Sequence, residues 1–269
     1  MSKIGFIGLG SQGAPMAQRI IDAGYPTVLW ARRPESLEPY ANSGAEFAAS
    51  VAELGAQVEH VGVCVVDDAG VQQVFDELLP VMKPGSRIAI HSTVHPETCK
   101  QLARRAAEKG IAVIDAPVSG GGSGAAAGTL TVMVGGDAAT VAAARPIFET
   151  FAGLIVHLGD VGAGQMAKLV NNALMAAHVA IAHHGLAAAE ALGIDRAAFV
   201  DLVKVSSGRS FGFDVRARMP NPAAFKHGAG LLVKDVNLLG EALSAHPDVF
   251  APLRDVAMPF LDLALDCEK

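Results

Sequence analysis

Lys168 and Asn172 are an amine and an amide set four residues apart in GAGQMAKLVNNAL, residues 162–174, a stretch whose other side chains read as the buried side of a helix. Helical positions four apart project from one face, roughly 6 Å apart at Cβ, so the pair could grip one small molecule. Apolar surroundings disfavour the ammonium form, which brings such a lysine toward proton exchange at the working pH. Asn172, both donor and acceptor, would hold a substrate oxygen or the lysine in line. The competing reading of Lys168 is a packed stem whose head reaches water, and two glycine-rich motifs upstream weigh against it.

The first motif lies in KIGFIGLGSQGAPMA, where Gly8-x-Gly10-x-x-Gly13 follows a predicted strand and opens a predicted helix. In that setting the first glycine permits the tight turn, the second lets a pyrophosphate approach the backbone, and the third lets the helix pack closely. The next strand ends VLWARRPE. An NAD site normally offers a carboxylate there, whereas Ala31, Arg32 and Arg33 suit a 2′-phosphate by charge and bidentate geometry, so NADP is the expected cofactor.

The second motif, DAPVSGGGSGAAAGTL at residues 115–130, runs from one predicted strand into another at the ligand-binding edge of the sheet. Ser119, Gly120 and Gly121 would present a hydroxyl and unhindered backbone N–H groups to a carboxylate. A purely structural turn is the equal alternative.

Elements to position these groups are legible in the pattern. KIGFIG, PTVLW, HVGVCVV, RIAIHS, IAVIDA, LTVMVGG and LIVHLG are Val- and Ile-rich runs alternating with amphipathic stretches such as AGVQQVFDELLP and PETCKQLARRAAEKG. That predicts an α/β fold, a doubly wound Rossmann-type sheet over residues 1–160, followed by an all-α domain over 161–269. The cleft between the two is the default ligand site. A helix of some 28 residues is expected from near Gly162.

With 51% apolar residues, 18% charged residues and a net charge of −6, the 269-residue chain predicts a globular protein with no affinity for nucleic acid or membrane surfaces. Cys64, Cys99 and Cys267 form no paired pattern, and no signal peptide or membrane span is legible, so a reducing cytoplasm is expected. His178, His183 and His184 lack the spacing of a helical zinc pair, and no metal is expected.

In their order, GFIGLGSQGAPMA, DAPVSGGGSGAAAGTL, GAGQMAKLVNN and KDVNLL make the chain resemble the β-hydroxyacid dehydrogenase family, the 3-hydroxyisobutyrate, 4-hydroxybutyrate and tartronate semialdehyde enzymes, nearly end to end. The resemblance implies that Lys168 is the general acid/base and that Asn172 orients the substrate. It further implies that Ser119, Gly120 and Gly121 bind the substrate carboxylate and that Thr93 lies beside substrate and nicotinamide. Lys234 and Asp235 fall on the family's Lys-Asp pair, and Leu9, Ser11, Gln12, Val65 and Val66 join the glycines and arginines in holding the cofactor. Ser210 in SSGRS resembles a further cleft segment. Gln12, Ala31 and His227 depart from the family's usual residues, with Phe225 a possible stand-in for a cleft phenylalanine at 227.

The expected activity is therefore hydride transfer between NADP and a small carboxylate-bearing hydroxyacid or its semialdehyde, with Lys168 moving the proton. Two rivals are an imine reductase on the same fold, whose members usually lack the lysine, and a non-catalytic NADP-binding scaffold. Alanine-rich faces in AAHVAIAHHGLAAAEAL predict a homodimer or homotetramer.

Overall fold

A computed structural model describes residues 2–266, so Cys267 lies outside the described residues. The sheet starts from strand β1 (Ile4–Ile7), all four of whose residues are buried, as expected of a strand covered on both faces. On one side β1 pairs in parallel with β2 (Thr27–Trp30), which carries the very short β3 (Glu46–Phe47). On the other side, β4 (His60–Val63), β5 (Arg87–Ile90) and β6 (Ala112–Asp115) continue the parallel set. Beyond them β8 (Leu130–Gly135) runs antiparallel to β6 and to the two-residue β7 (Val118–Ser119), and β9 (Ala152–Gly159) pairs in parallel with β8.

Helices α1 (Gly13–Asp22), α2 (Val51–Gln57), α3 (Asp68–Leu78), α4 (Pro96–Ala107), α5 (Gly121–Ala127) and α6 (Ala138–Phe148) connect these strands. One core layer joins Ile7, Val63 and Ile90 to Phe75 of α3 and Leu102 of α4. The other joins Phe6 and Leu29 to Met16 of α1 and to Phe148 and Phe151. The α/β class is as the sequence predicts. Within the glycine-rich segment after β6 the backbone forms β7 and then α5, neither of which the sequence pattern predicts, and α5 ends at Gly128 in a left-handed cap.

Helix α7 (Ala163–Ala191) runs 29 residues. The chain divides into two compact units, Met1–Lys168 and Leu169–Lys269. In the second, Leu169, Ala173, Ala176 and Ala180 of α7 pack with Leu232 and Val236 of α10 (Lys226–Ala242) and with Phe260 and Leu261 of α11 (Pro247–Asp266). Alanines at that spacing let the helices approach closely. Between them in sequence lie α8 (Arg196–Val205) and α9 (Phe211–Ala217). Among the described residues no helix is long and apolar enough to cross a membrane.

Candidate active site

In the first unit the three glycines of the turn after β1 have different physical reasons to be glycine. Gly8 has φ +98, and a Cβ there would stand 2.1 Å from the Cys64 carbonyl oxygen. A Cβ on Gly13 would stand 1.9 Å from the Gly8 carbonyl oxygen. Gly10 is different, since nothing lies within 4 Å of its Cβ position. The fold demands the first and third, and the second faces open space. Helix α1, which starts at Gly13, has no side-chain cap, whereas Ser50, Asp67 and Asp137 cap α2, α3 and α6. Ala14 N and Met16 N donate to the Gly10 and Gln12 carbonyl oxygens at 2.9 and 3.3 Å and Pro15 has no N–H, so the helix start offers an anion the positive end of its dipole more than a row of open N–H groups.

Gly8, Leu9 and Gly10 line a cavity of about 420 Å³, a volume typical of small-molecule sites. Arg32, Arg33, Val65 and Val66 line it as well. Ser11, Gln12 and Gly13 are not among its lining residues. Trp30, Ser36 and Gln73 do line it. Sequence reasoning passed over these three, of which only Ser36 carries a signal, as a hydroxyl three residues past the arginines. Gly10 with no neighbour at its Cβ position, two guanidiniums from Arg32 and Arg33, and the carboxylates of Asp67 and Glu77 thus border one cavity.

The second glycine-rich motif abuts that loop. A Cβ on Gly122 would meet the Ser11 carbonyl oxygen at 2.5 Å, so α5 can rest there only because residue 122 lacks one. Just before it, Gly120 and Gly121 take φ of +130 and +66, conformations that glycine adopts without strain. Ser119 is half-buried at the end of β7.

A buried polar network ties three strand ends to the start of α7. Asp115, at the end of β6, is fully buried and accepts from the backbone N–H groups of Gly162 (2.7 Å) and Gln165 (2.8 Å). Burial pushes its carboxyl up to about 6, against the pull of those donors. Gln165 Oε1 accepts from Val94 N (3.2 Å) and its Nε2 donates to the Ser92 carbonyl (2.8 Å). Ser92 Oγ in turn accepts from Val65 N (2.8 Å), at the cavity wall. Lys168 follows Gln165 by three residues and is buried, 8% exposed, and Thr93 is half-buried between Ser92 and Val94. Neither Asp115 nor Gln165 was among the sequence candidates for a site role. The available signal was a carboxylate and an amide inside otherwise apolar runs.

In the second unit, Asn172 Nδ2 donates to Asp235 Oδ2 at 2.5 Å, and Asn171 Nδ2 donates to Asn172 Oδ1 at 3.2 Å. Asp235 is buried, 4% exposed, and its Oδ1 stands 2.9 Å from Lys234 Nζ as an ion pair without an aligned hydrogen bond. Asn172, Lys234 and Asp235 thus form one cluster. Ser210 caps α9, its Oγ accepting from Phe213 N at 3.0 Å. Phe225 packs in the helical core against Phe260 and Gly228, and His227 is exposed. The phenylalanine expected as a stand-in at the cleft is therefore engaged in core packing. His183 accepts from Arg216 at 3.3 Å and lies against Phe260. Among the described residues no group of three or more His, Cys, Asp or Glu side chains is placed to hold a metal ion.

Residues 3–159 match the family described as the NAD binding domain of 6-phosphogluconate dehydrogenase, and residues 162–266 the family described as NAD-binding of NADP-dependent 3-hydroxyisobutyrate dehydrogenase. The chain is 35% identical to the NAD-dependent L-serine dehydrogenase of Pseudomonas aeruginosa over 98% of its own length and 93% of that protein's. It is 35% identical to the 3-hydroxyisobutyrate dehydrogenase of the same organism, over 91% of this chain and 85% of that one. A solved structure of Mycobacterium tuberculosis 3-hydroxyisobutyrate dehydrogenase with L-serine resembles it with a TM-score of 0.88 at 31% identity, covering 99% of this chain and 94% of that one. Matched in order along both halves, and aligned nearly end to end with such relatives, this chain belongs to the β-hydroxyacid dehydrogenase family.

Proposed function

We propose that the chain is an NADP-dependent oxidoreductase interconverting a small hydroxyacid and its semialdehyde or oxo acid. The observation that carries this reading is the first unit's cavity, which Gly10, Arg32 and Arg33 all line and where Ala31 stands at the position in which the sequence leads one to expect a ribose-binding carboxylate. The relatives' printed substrates, L-serine and 3-hydroxyisobutyrate, are both carboxylates bearing a hydroxyl on the β carbon. That is the substrate class we assign.

When bound, the dinucleotide supplies or accepts the hydride. The chain's own residues do the rest. In the reducing direction Lys168 Nζ donates a proton to the carbonyl oxygen, and in the oxidising direction the neutral amine takes the hydroxyl proton. Asn172, held by Asp235, orients the substrate oxygen. Ser119 and the Gly120–Gly121 backbone receive the carboxylate, and Thr93 and Lys234 are assigned to substrate and cofactor by the family's pattern. Holding the reacting groups in this order accelerates the reaction through orientation.

The test is a panel of L-serine, 3-hydroxyisobutyrate, 4-hydroxybutyrate, glyoxylate, short semialdehydes and a cyclic imine, each with NADP and NAD, followed by nicotinamide absorbance. Turnover of a β-hydroxyacid with NADP favoured, and a loss of about 10²–10⁴-fold in Lys168→Ala, is the expected result. Turnover confined to the imine, or no turnover at all, would overturn the reading.

A homodimer or homotetramer belongs to the same proposal. Val170, Leu174 and Ile181 lie along one stripe of α7 and are 42%, 44% and 58% exposed, which a second copy would cover. A monomer by light scattering would defeat it. The free thiols of Cys64 and Cys99 suit a reducing cytoplasm.

A further inference from the structure

We propose that Gln165 is a positioning residue for proton transfer, clamping the turn that carries Thr93 to the first turn of α7 so that Thr93 and Lys168 are held in one rigid block. The proposal rests on Lys168 being the acid/base. Its basis is which groups Gln165 grips. The Ser92 carbonyl belongs to the peptide entering Thr93, and the Val94 N–H belongs to the peptide leaving it. Gln165 donates to the first at 2.8 Å and accepts from the second at 3.2 Å. Both peptide planes flanking Thr93 are therefore fixed by one side chain, and with them the direction of the threonine side chain.

The other end of the clamp is equally constrained. Gln165 is fully buried and its own N–H donates to Asp115 Oδ2 at 2.8 Å, while Asp115 Oδ1 receives Gly162 N at 2.7 Å. The start of α7 is thereby anchored to the end of β6, and Lys168 follows one turn later on the same helix. Through Ser92 Oγ and Val65 N the clamp also reaches the wall of the dinucleotide cavity. The position needs a donor and an acceptor on one side chain of this length. Among the natural side chains a glutamine supplies both at every pH, and a glutamate only when protonated.

Two variants and one exchange measurement test this. Gln165→Met keeps the length and removes both bonds. Its kcat should fall at least about tenfold, since small misplacements of reacting groups cost up to about 10²-fold. Its KM for dinucleotide should stay within about threefold, because no cavity-lining side chain changes. In the protein without ligand, the Val94 amide should lose hydrogen-exchange protection by at least about tenfold.

Gln165→Glu restores both bonds only in its carboxylic acid form, whose pKa burial and the neighbouring Asp115 raise. Its activity relative to wild type at the same pH should therefore climb as pH falls from about 8 to about 6. Asp115, Asp68, His95 and Cys99 are the other ionisable groups around this segment, and taking the ratio removes what is common to both proteins, while the coupling of Asp115 to the new carboxyl favours protonation of the pair and so acts in the same direction as the expected rescue. If Gln165→Met does not fold, the pH-dependent rescue decides. Wild-type kcat in Gln165→Met, unchanged Val94 exchange, or a flat Glu/Gln activity ratio would each overturn the proposal. Failure of the functional reading is distinguishable, because wild type itself would then turn over no hydroxyacid while the exchange result still stands or falls alone.

Discussion

Asn172 and Asp235, 63 residues apart in the chain, share a hydrogen bond from the amide Nδ2 to the carboxylate Oδ2, and the carboxylate is buried. An amide held in this way presents a fixed oxygen to its surroundings. Removing the acceptor in Asp235→Ala leaves polar groups unpaired and should lower stability by about 1–3 kcal/mol in a thermal melt. Asp235→Asn keeps an acceptor and should fold normally, with kcat/KM for substrate down about tenfold and dinucleotide affinity unchanged. Full activity in Asp235→Ala would show that Asn172 is held in place without it.

The glycines of the first turn should separate by phenotype. Gly8→Ala and Gly13→Ala each place a methyl about 2 Å from a carbonyl oxygen and should lose the fold, because backbone offers no room to yield. Gly10→Ala meets nothing within 4 Å, so its melting curve should match wild type to within about 0.5 kcal/mol. Its dinucleotide affinity should nonetheless fall at least about tenfold, since a methyl stands where a pyrophosphate must approach the backbone. Fluorescence titration alongside melts checks this, and unchanged affinity would move the cofactor elsewhere.

Arg32 and Arg33 should set the choice between the two cofactors. Each charge-assisted hydrogen bond to a phosphate contributes about 1.5–3 kcal/mol. Replacing both arginines with alanine should therefore cut the NADP to NAD ratio of kcat/KM by about ten- to a hundredfold while leaving the NAD value close to wild type. A wild type that already prefers NAD would refute the assignment.

Acid should destabilise the first unit through its buried histidines. Burial, with Arg87 and His91 nearby, takes His60 down to about 3, and burial takes His91 down to about 4 against its hydrogen bond to the Ala116 carbonyl. Both are therefore neutral in the folded chain, and from pH 6.5 downward the unfolded chain binds their protons first. Asp115, raised to about 6, acts oppositely: between about 6 and 3.8 the folded chain holds the extra proton. Two histidines against one carboxyl leave a net excess of one proton in the unfolded chain between about pH 6 and pH 4, a loss near 1.4 kcal/mol per pH unit. Urea unfolding at several pH values measures the slope, and His60→Leu should flatten it. A slope of the opposite sign would mean that these histidines are charged in the fold.

The Rossmann-type sheet, the long helix and the glycine turn were legible because each is written locally: strand runs, helical spacing and turn residues recur within a few positions of one another. Lys168 and Asn172 announced themselves the same way, as polar groups one turn apart in an apolar helix. Strands β3 and β7, two residues each, were not legible, because so short a run has no period. Nor were Asp115, Gln165 and Asp235 as partners. Asp115 and the Gln165 amide are 50 residues apart, and the Ser92 carbonyl and Gln165 are 73 apart. Hydrogen bonds over such distances leave no repeat in the sequence. They exist only once the chain has brought strand ends and helix starts together in a dry interior, where a buried polar group must find its partner.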